Sequence, residues 1–392
     1  MMRKRAGTST NYSSKYKDGG NKKKWIIISV IVVFLLGGCA FAAVKVIDKV
    51  APNSNILGSI AKSLPMVENK LDGEEEGRIN IMFLGMRGKG VAGGGTLADT
   101  IMVVSIKKQE NPEGDDTYKA SMVSVPRDLY VTMPGTTSNM KINSVYHYGE
   151  EKGDGQGIEA MKQVLEDITG QRIHYGAEVN FAGFKEVVDT LGGVEVDLAE
   201  QFIEPIQFHE EKVCDGANGG VFTVKSGNFE SKIDHRGKVV AQYPLCYNET
   251  EECGGVFTVP AGISILDGEK ALCYVRARTT SSDFDRARRQ QDVIGQIKKK
   301  ALSMGVLTDF GKVQELFGAV SGNMNTDMEL WEMQRFFDLY QKMDTNMQVE
   351  HKVLENSEEG LLYSHEGDER GYILMPRGDT YDKIREMFAS II

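Results

Sequence analysis

The chain has 392 residues, 41% of them hydrophobic, enough for one large or two modest globular cores. Its formal net charge of −10 is unevenly spread: residues 1–24 carry eight Lys/Arg and one acid, for +7, which leaves −17 on the rest. So acidic a body is a poor general binder of nucleic acid, whose affinity comes from basic neutralisation of phosphates, and no nucleic-acid partner is expected.

Residues 1–21, rich in Ser, Gly, Asn and Lys, read as a disordered segment, so that residues 1–24 form a basic cytoplasmic tail. Trp25–Val44 gives twenty uncharged residues, long enough to cross a bilayer as a helix. Lys22-Lys23-Lys24 precede it, and this Lys/Arg asymmetry sets the N-terminus in the cytoplasm and the body outside, a single-pass cell-membrane placement. A lipoprotein-like signal ending at Cys39 is the competing reading, and it tethers the body to the same outer face. Residues 45–77 read as an extracellular stalk ending in the polar run Glu68–Gly77.

From Arg78 the pattern is that of a folded body. Apolar runs of strand length occupy Ile79–Leu84, Thr100–Ile106 and Ala120–Val125. Residues 158–169 have helical periodicity, with Gly170 as the stop. A strand is expected over Ala177–Phe181, a helix through Phe184, Val187, Val188 and Leu191, and a strand over Val194–Leu198. Strands alternating with helices predict an α/β layered domain, a central mixed β-sheet flanked by helices, over 78–303.

Residues 205–258 interrupt this pattern as an insertion. GGVFTVKSG (219–227) and GGVFTVPAG (254–262) are near-repeats, expected to form related strands of one extended hairpin. Five cysteines occur, without a CxxC pair or histidines at metal-ligand spacing. Cys39 and Cys273 fall in apolar stretches and read as small hydrophobes, and one disulfide is expected among Cys214, Cys246 and Cys253. Residues 304–392 read as a smaller C-terminal α/β extension: two helices, strands at Gln348–Leu354 and Gly371–Met375, and a final helix, Tyr381–Ile391.

The densest chemistry is in Ala271–Gln290, where Arg276, Arg278, Arg286, Arg288 and Arg289 fall within fifteen residues. Leu272–Val275 reads as a buried strand, which sets Arg276 and Arg278 on one face. A helix is expected next, with Asp283 as its N-cap and Arg286, Arg289 and Gln290 along one side. Arg288 points away from that side. Forked guanidinium donors beside a helix start suit phosphate or carboxylate oxygens; the plainer reading is an ion-pair network with surface acids. Upstream, Asp99 opens a strand and is a candidate ligand for a hard divalent cation. Arg127-Asp128 lies just past a strand end, where crevices of α/β sheets lie, and Lys141 and Asn143 add a cation and an amide. The loop Gly85–Gly95 has six glycines but no GK[ST] ending, and reads as a flexible loop ahead of a phosphate cradle.

In order along the chain, LG, ADTIMVVSI, SVPRDLYV, KINSVYHYG, FAGFKEVVDTLGGVEVDL, LDGEKALCYVRAR and DFDRARRQQ span about Ile79 to Ala301. This series resembles the LytR-CpsA-Psr family of bacterial cell-envelope proteins, and the ending GYILMPRGDTYDKIREM is similar to tails in that family. The resemblance implies a phosphotransferase that moves a glycopolymer from a polyprenyl-pyrophosphate carrier to peptidoglycan at the membrane, making a phosphodiester. It implies that Arg127, Arg276, Arg278 and Arg286 bind the pyrophosphate with Gln290 in support, and that Asp99 binds Mg2+ or Mn2+ bridging the phosphates. The prenyl tail would lie in an apolar groove between sheet and helices. Asp283 or Asp128 would take the acceptor's hydroxyl proton, with a capping or ion-pair role as the competing reading for each. Arg87, Lys141, Asn143 and Arg289 are the further substrate-side candidates. Two positions depart from the family pattern: Arg87 stands where many members have an aspartate, and Leu97 where many have an arginine. The first removes a candidate metal ligand, which leaves room for the alternative of a non-catalytic envelope protein binding anionic glycan or lipid.

Overall fold

The computed structural model describes residues 70–391 apart from 92–94, 110–116, 206–210, 217–221, 235, 249–252, 254, 343–348 and 366–370. The expected cytoplasmic tail and membrane helix, and most of the expected stalk, lie outside these residues. Among the described residues no helix is long and apolar enough to cross a membrane. The last part of the expected stalk packs on the body: Leu71 is buried, and Glu74 pairs with Arg335 at 2.6 Å.

The strands in chain order begin with β1 (Arg78–Met86), β2 (Thr100–Gln109), β3 (Thr117–Ser124), β4 (Tyr130–Thr132), β5 (Asn139–Lys141) and β6 (Tyr175–Asn180). Then come β7 (Val194–Leu198), β8 (Phe202–Glu204), β9 (Lys212–Val213), β10 (Phe222–Ile233), β11 (Val239–Asn248), β12 (Phe257–Val259) and β13 (Gly262–Leu266). The last are β14 (Met324–Thr326), β15 (Val349–Val353), β16 (Leu362–His365) and β17 (Ile373–Pro376). The helices are α1 (Val145–Glu150), α2 (Gln156–Thr169), α3 (Phe181–Thr190), α4 (Gly268–Arg276), α5 (Asp283–Ser303), α6 (Phe310–Val320), α7 (Leu330–Lys342) and α8 (Asp382–Ser390).

Six strands form the central sheet in the order β14-β6-β1-β2-β3-β15. β1, β3, β6 and β15 run parallel to one another, and β2 and β14 run against them. The sheet is therefore mixed, as expected. β1 and β2 are buried on both faces, which is why they read as continuous apolar runs. On one face Ile79, Ile81, Phe83 and Met102 join a core with α3, α4, α5, α6 and α7. On the other, Met82, Leu84, Ile101 and Val103 pack against the apolar stripe of α2 and against Ile384 and Phe388 of α8. Gly170 ends α2 in the left-handed region, φ 66°, in agreement with its reading as a stop.

Four expectations are corrected. Leu272–Val275 is the last part of helix α4, not a strand; Asp267 caps that helix by accepting from the Lys270 amide. A four-residue apolar run fits either period, and the capping signal at Asp267, five residues upstream, decides. The C-terminal part is no appendage, because β14 and β15 form the two edges of the central sheet. Such short strands carry little pattern of their own, and their partners are more than a hundred residues away. The near-repeats do not pair with each other: β10 pairs with β11, and β12 with β8. Finally there are two disulfides among the described residues, Cys214–Cys246 and Cys253–Cys273. Cys273 is thus a bridge from the insertion to α4, which apolar neighbours in sequence did not disclose.

Candidate active site

The C-terminal ends of the parallel strands β1, β3 and β6 and the start of β2 share one rim of the sheet. There the backbone leaves the sheet, and side chains from separate loops converge. Gly85, the next-to-last residue of β1, lies against Thr100, close enough that a Cβ on residue 85 would come within 3.0 Å of the threonine Cβ. The Asp99 amide donates to the Gly85 carbonyl at 2.9 Å, which sets the carboxylate at the mouth. Arg127 follows β3, and helix α5 starts opposite it.

The rim opens into a cavity of about 1230 Å³, solvent at its mouth included. Arg87, Asp99, Arg127, Arg276, Arg278, Arg286 and Gln290 line its polar part. Phe83, Met102, Phe184, Leu272, Val275 and Ile294 line its apolar part, between the sheet and helices α3, α4 and α5.

Carboxylates organise the guanidinium groups. Arg127 Nη1 donates to Asp99 Oδ1 at 2.6 Å, and its Nε lies 3.5 Å from Asp128 and 3.6 Å from Asp283. Asp283 also meets Arg286 at 3.3 Å and Arg278 at 3.8 Å, so one carboxylate serves three arginines. Arg276 lies over the Phe181 ring, 4.6 Å from its centroid. Burial acts on Arg127 to lower its pKa, but Asp99, Asp283 and Asp128 outweigh it and the net shift is upward. Arg286 shifts downward: burial dominates, Arg127 adds repulsion, and Asp283 only partly offsets both. The Arg286 Nε is buried with no hydrogen-bond partner among the described residues. An anion in the cavity would meet both needs, a counter-charge and an acceptor.

The structure brings seven candidates to the cavity and seats the others nearby. Asp283 is not the N-cap of α5. Ser282 is, in a reciprocal capping box with Asp285, and this leaves the Asp283 carboxylate turned to the arginines. Gln290 donates to the Val275 carbonyl at 3.3 Å and so ties α5 to α4 at the rim. Three candidates are supports. Arg289 is buried and donates to the Tyr274 and Ala277 carbonyls and to Ser281 Oγ, where it clamps the exit of α4. Its place at i+3 from Arg286 is right, but α4 ends against it. Lys141 is held by Asp128 at 2.7 Å, and neither it nor Asn143 lines the cavity. The Asn143 backbone instead links the loops that carry Asp99 and Arg127, through bonds to the Ala98 amide and Arg127 carbonyl. As expected, Arg288 faces elsewhere, toward Asp285 and Glu355. Sequence reasoning missed Phe181, the ring under Arg276, and Glu204, a buried acid beneath the loop after Arg278. The first follows the end of β6 and was within reach of the strand-end rule; the second had no local signal.

The chain is similar to several known cell-wall proteins. The "Cell wall biosynthesis protein LcpA" of Corynebacterium glutamicum is 27% identical over 338 residues, 78% of this chain. The match takes in 54% of LcpA, so the chain spans about half the length of that relative. The Bacillus mycoides protein named polyisoprenyl-teichoic acid–peptidoglycan teichoic acid transferase TagU is 25% identical over 333 residues, 80% of this chain and 83% of that one. The crystal structure of B. subtilis TagV shares the fold, with a TM-score of 0.51 at 20% identity over 79% of this chain and 95% of that chain. The sequence profile of one family matches residues 42–371, most of the chain: the protein belongs to the LytR_cpsA_psr family.

Proposed function

We propose that the chain is a phosphotransferase that moves a cell-wall glycopolymer from a polyprenyl-pyrophosphate carrier to peptidoglycan, forming a phosphodiester. The observation that carries this reading is a cavity with guanidinium groups at one end and aliphatic and aromatic side chains at the other. A lipid diphosphate has the same two-part chemistry. The names of LcpA and TagU support the cell-wall setting and, for TagU, an anionic glycopolymer as cargo.

In the proposed reaction the diphosphate lies between Arg127 and Arg286 on the inner side and Arg276 and Arg278 at the rim, with Arg87 beside them. The isoprenoid chain runs toward Phe184 and Ile294. A sugar hydroxyl of peptidoglycan attacks the phosphorus that bears the glycopolymer; the new P–O bond forms as the bond to the bridging oxygen breaks. Polyprenyl phosphate leaves with that oxygen and its electron pair, and the hydroxyl proton passes to a phosphate oxygen of the substrate. Asp283 and Asp128 are both engaged as ion-pair partners, so their role here is to fix the arginines. Positioning and neutralisation of phosphate charge are what such a step chiefly requires. Among the described residues no group of three or more His, Cys, Asp or Glu side chains is set to hold a metal. Asp99, the one carboxylate among the described residues that line the cavity, accepts from Arg127 through Oδ1, and it is the residue that would hold a cation beside the diphosphate. Mg2+ or Mn2+ held there would add charge neutralisation to the diphosphate.

The test is transfer from a short polyprenyl-pyrophosphate glycan donor by the wild type and by the Arg276→Ala/Arg278→Ala variant. Loss of turnover in the variant is expected, and unchanged turnover overturns the site. An anion-binding envelope protein without catalysis would bind the donor but yield no phosphodiester product.

A further inference from the structure

Glu204 is completely buried in strand β8, which directly precedes the region expected to be an insertion and pairs with β12 at the far end of that region. Its Oε2 accepts from two successive backbone amides, Thr279 at 2.8 Å and Thr280 at 3.3 Å. Thr280 Oγ1 donates in turn to the Ile203 carbonyl at 3.0 Å. These are the residues directly after Arg278, in the short loop that joins α4 to α5. On the other side of the same loop Arg289 holds the Ala277 carbonyl and Ser281 Oγ. The Arg289 guanidinium also stacks 5.1 Å from the ring centroid of Phe202, two residues before Glu204. The loop is thus held on both sides of Arg278, by Glu204 at Thr279 and Thr280 and by Arg289 at Ala277 and Ser281, while Arg278 itself lines the cavity. The same region is fastened a second time, through Cys253–Cys273, one turn before Arg276.

Burying a carboxylate is unfavourable unless its oxygens are satisfied, and apolar packing at this point would serve stability at least as well. The carboxylate does what an apolar side chain cannot: it fixes the direction of two peptide units. From this we infer that Glu204 is a positioning residue for Arg278, and that β8, through it, sets how tightly the rim holds the head group. This rests on the proposed reading of the cavity as a diphosphate site.

The experiment is titration of the full chain in detergent with inorganic pyrophosphate, beside thermal melting of each variant. Glu204→Ala is expected to weaken pyrophosphate binding by about tenfold, the effect of losing hydrogen bonds to a charged group. Glu204→Gln, which keeps an acceptor oxygen, is expected to recover part of this, and Thr280→Val to lose less than Glu204→Ala. Because Glu204 acts through Arg278, Glu204→Ala/Arg278→Ala is expected to bind no more weakly than Arg278→Ala alone. A merely structural role would lower the melting temperature and leave the two losses additive. Wild-type affinity in Glu204→Ala, or additivity with Arg278→Ala, overturns the inference. If Glu204→Ala does not fold, Glu204→Gln and Thr280→Val decide it by the same two criteria. If Arg278→Ala and Arg286→Ala both bind pyrophosphate normally, the diphosphate reading itself fails, whatever Glu204 does.

Discussion

The arginine cluster has two halves held in opposite ways. Arg127 and Arg286, with side chains 20% and 10% exposed, stand among Asp99, Asp128 and Asp283. Arg278 is 43% exposed and lies 3.8 Å from Asp283, and Arg276 rests on an aromatic face. Within the inner half the carboxylates outweigh burial at Arg127 but only partly offset it at Arg286, and the ion pairs fix the positions of both groups. The outer half stands closer to solvent, and the backbone around Arg278 rests on Glu204 and Arg289. Preorganisation and affinity are thus assigned to different residues of one site.

The sharpest way to break this comparison is Arg127→Ala. It strips Asp99 of its 2.6 Å partner and Asp283 of one of three. We expect a loss of about 2–4 kcal/mol in stability and roughly 100- to 1000-fold in transfer rate. Urea unfolding and single-turnover assays check both, and full stability in this variant would mean that the carboxylates do not depend on the arginine. Arg276→Ala should lower transfer by about 10- to 100-fold while the melting temperature moves by no more than about 2 °C. A stability loss as large as that of Arg127→Ala would erase the distinction between the halves.

Lys298 sharpens the contrast from within the same helix. It is buried, its Nζ has no partner among the described residues, and burial lowers its pKa to about 6. In the unfolded chain the amine stays protonated up to its ordinary pKa of 10.5, but in the folded chain only up to about 6. Between these values the unfolded state binds more protons, so folding stability rises with pH, by at most about 1.4 kcal/mol per unit. Lys298→Met should raise stability at neutral pH and abolish this rise. Urea midpoints at pH 6.5 and 9 test it, and the same pH slope in both proteins would show that the amine is compensated. The smallest effect is expected in the apolar part of the cavity. Phe184→Trp should weaken long-chain polyprenyl donors by roughly 3- to 10-fold through overpacking and leave inorganic pyrophosphate unaffected. Equal weakening of both ligands would mean that the two ends of the cavity are not independent.

Much of the framework was legible before any coordinates. The alternation of strand and helix patterns over Ile79–Leu198 corresponds to β1, β2, β3, α2, β6, α3 and β7, because those elements bury whole faces and their periodicity follows from that. Asp99, Arg127, Arg276, Arg278 and Arg286, singled out from sequence, meet at one cavity. The identity of α4 was misread, since four apolar residues fit a strand or a helix equally well. The insertion was legible as a departure from the pattern, but the parts played by Glu204 just before it and by Cys253 within it were not, since their contacts lie 75 and 20 residues further on.

The sequence by itself determined where the buried faces lie and which charged residues the chain places at strand and helix ends, because both depend on neighbours within a few positions. Only the tertiary structure decided which arginine is paired with which carboxylate, which cysteines join, and that residues after 304 complete both edges of the sheet. Those outcomes depend on pairings across tens to hundreds of residues, for which local spacing carries no energy and so leaves no pattern to read.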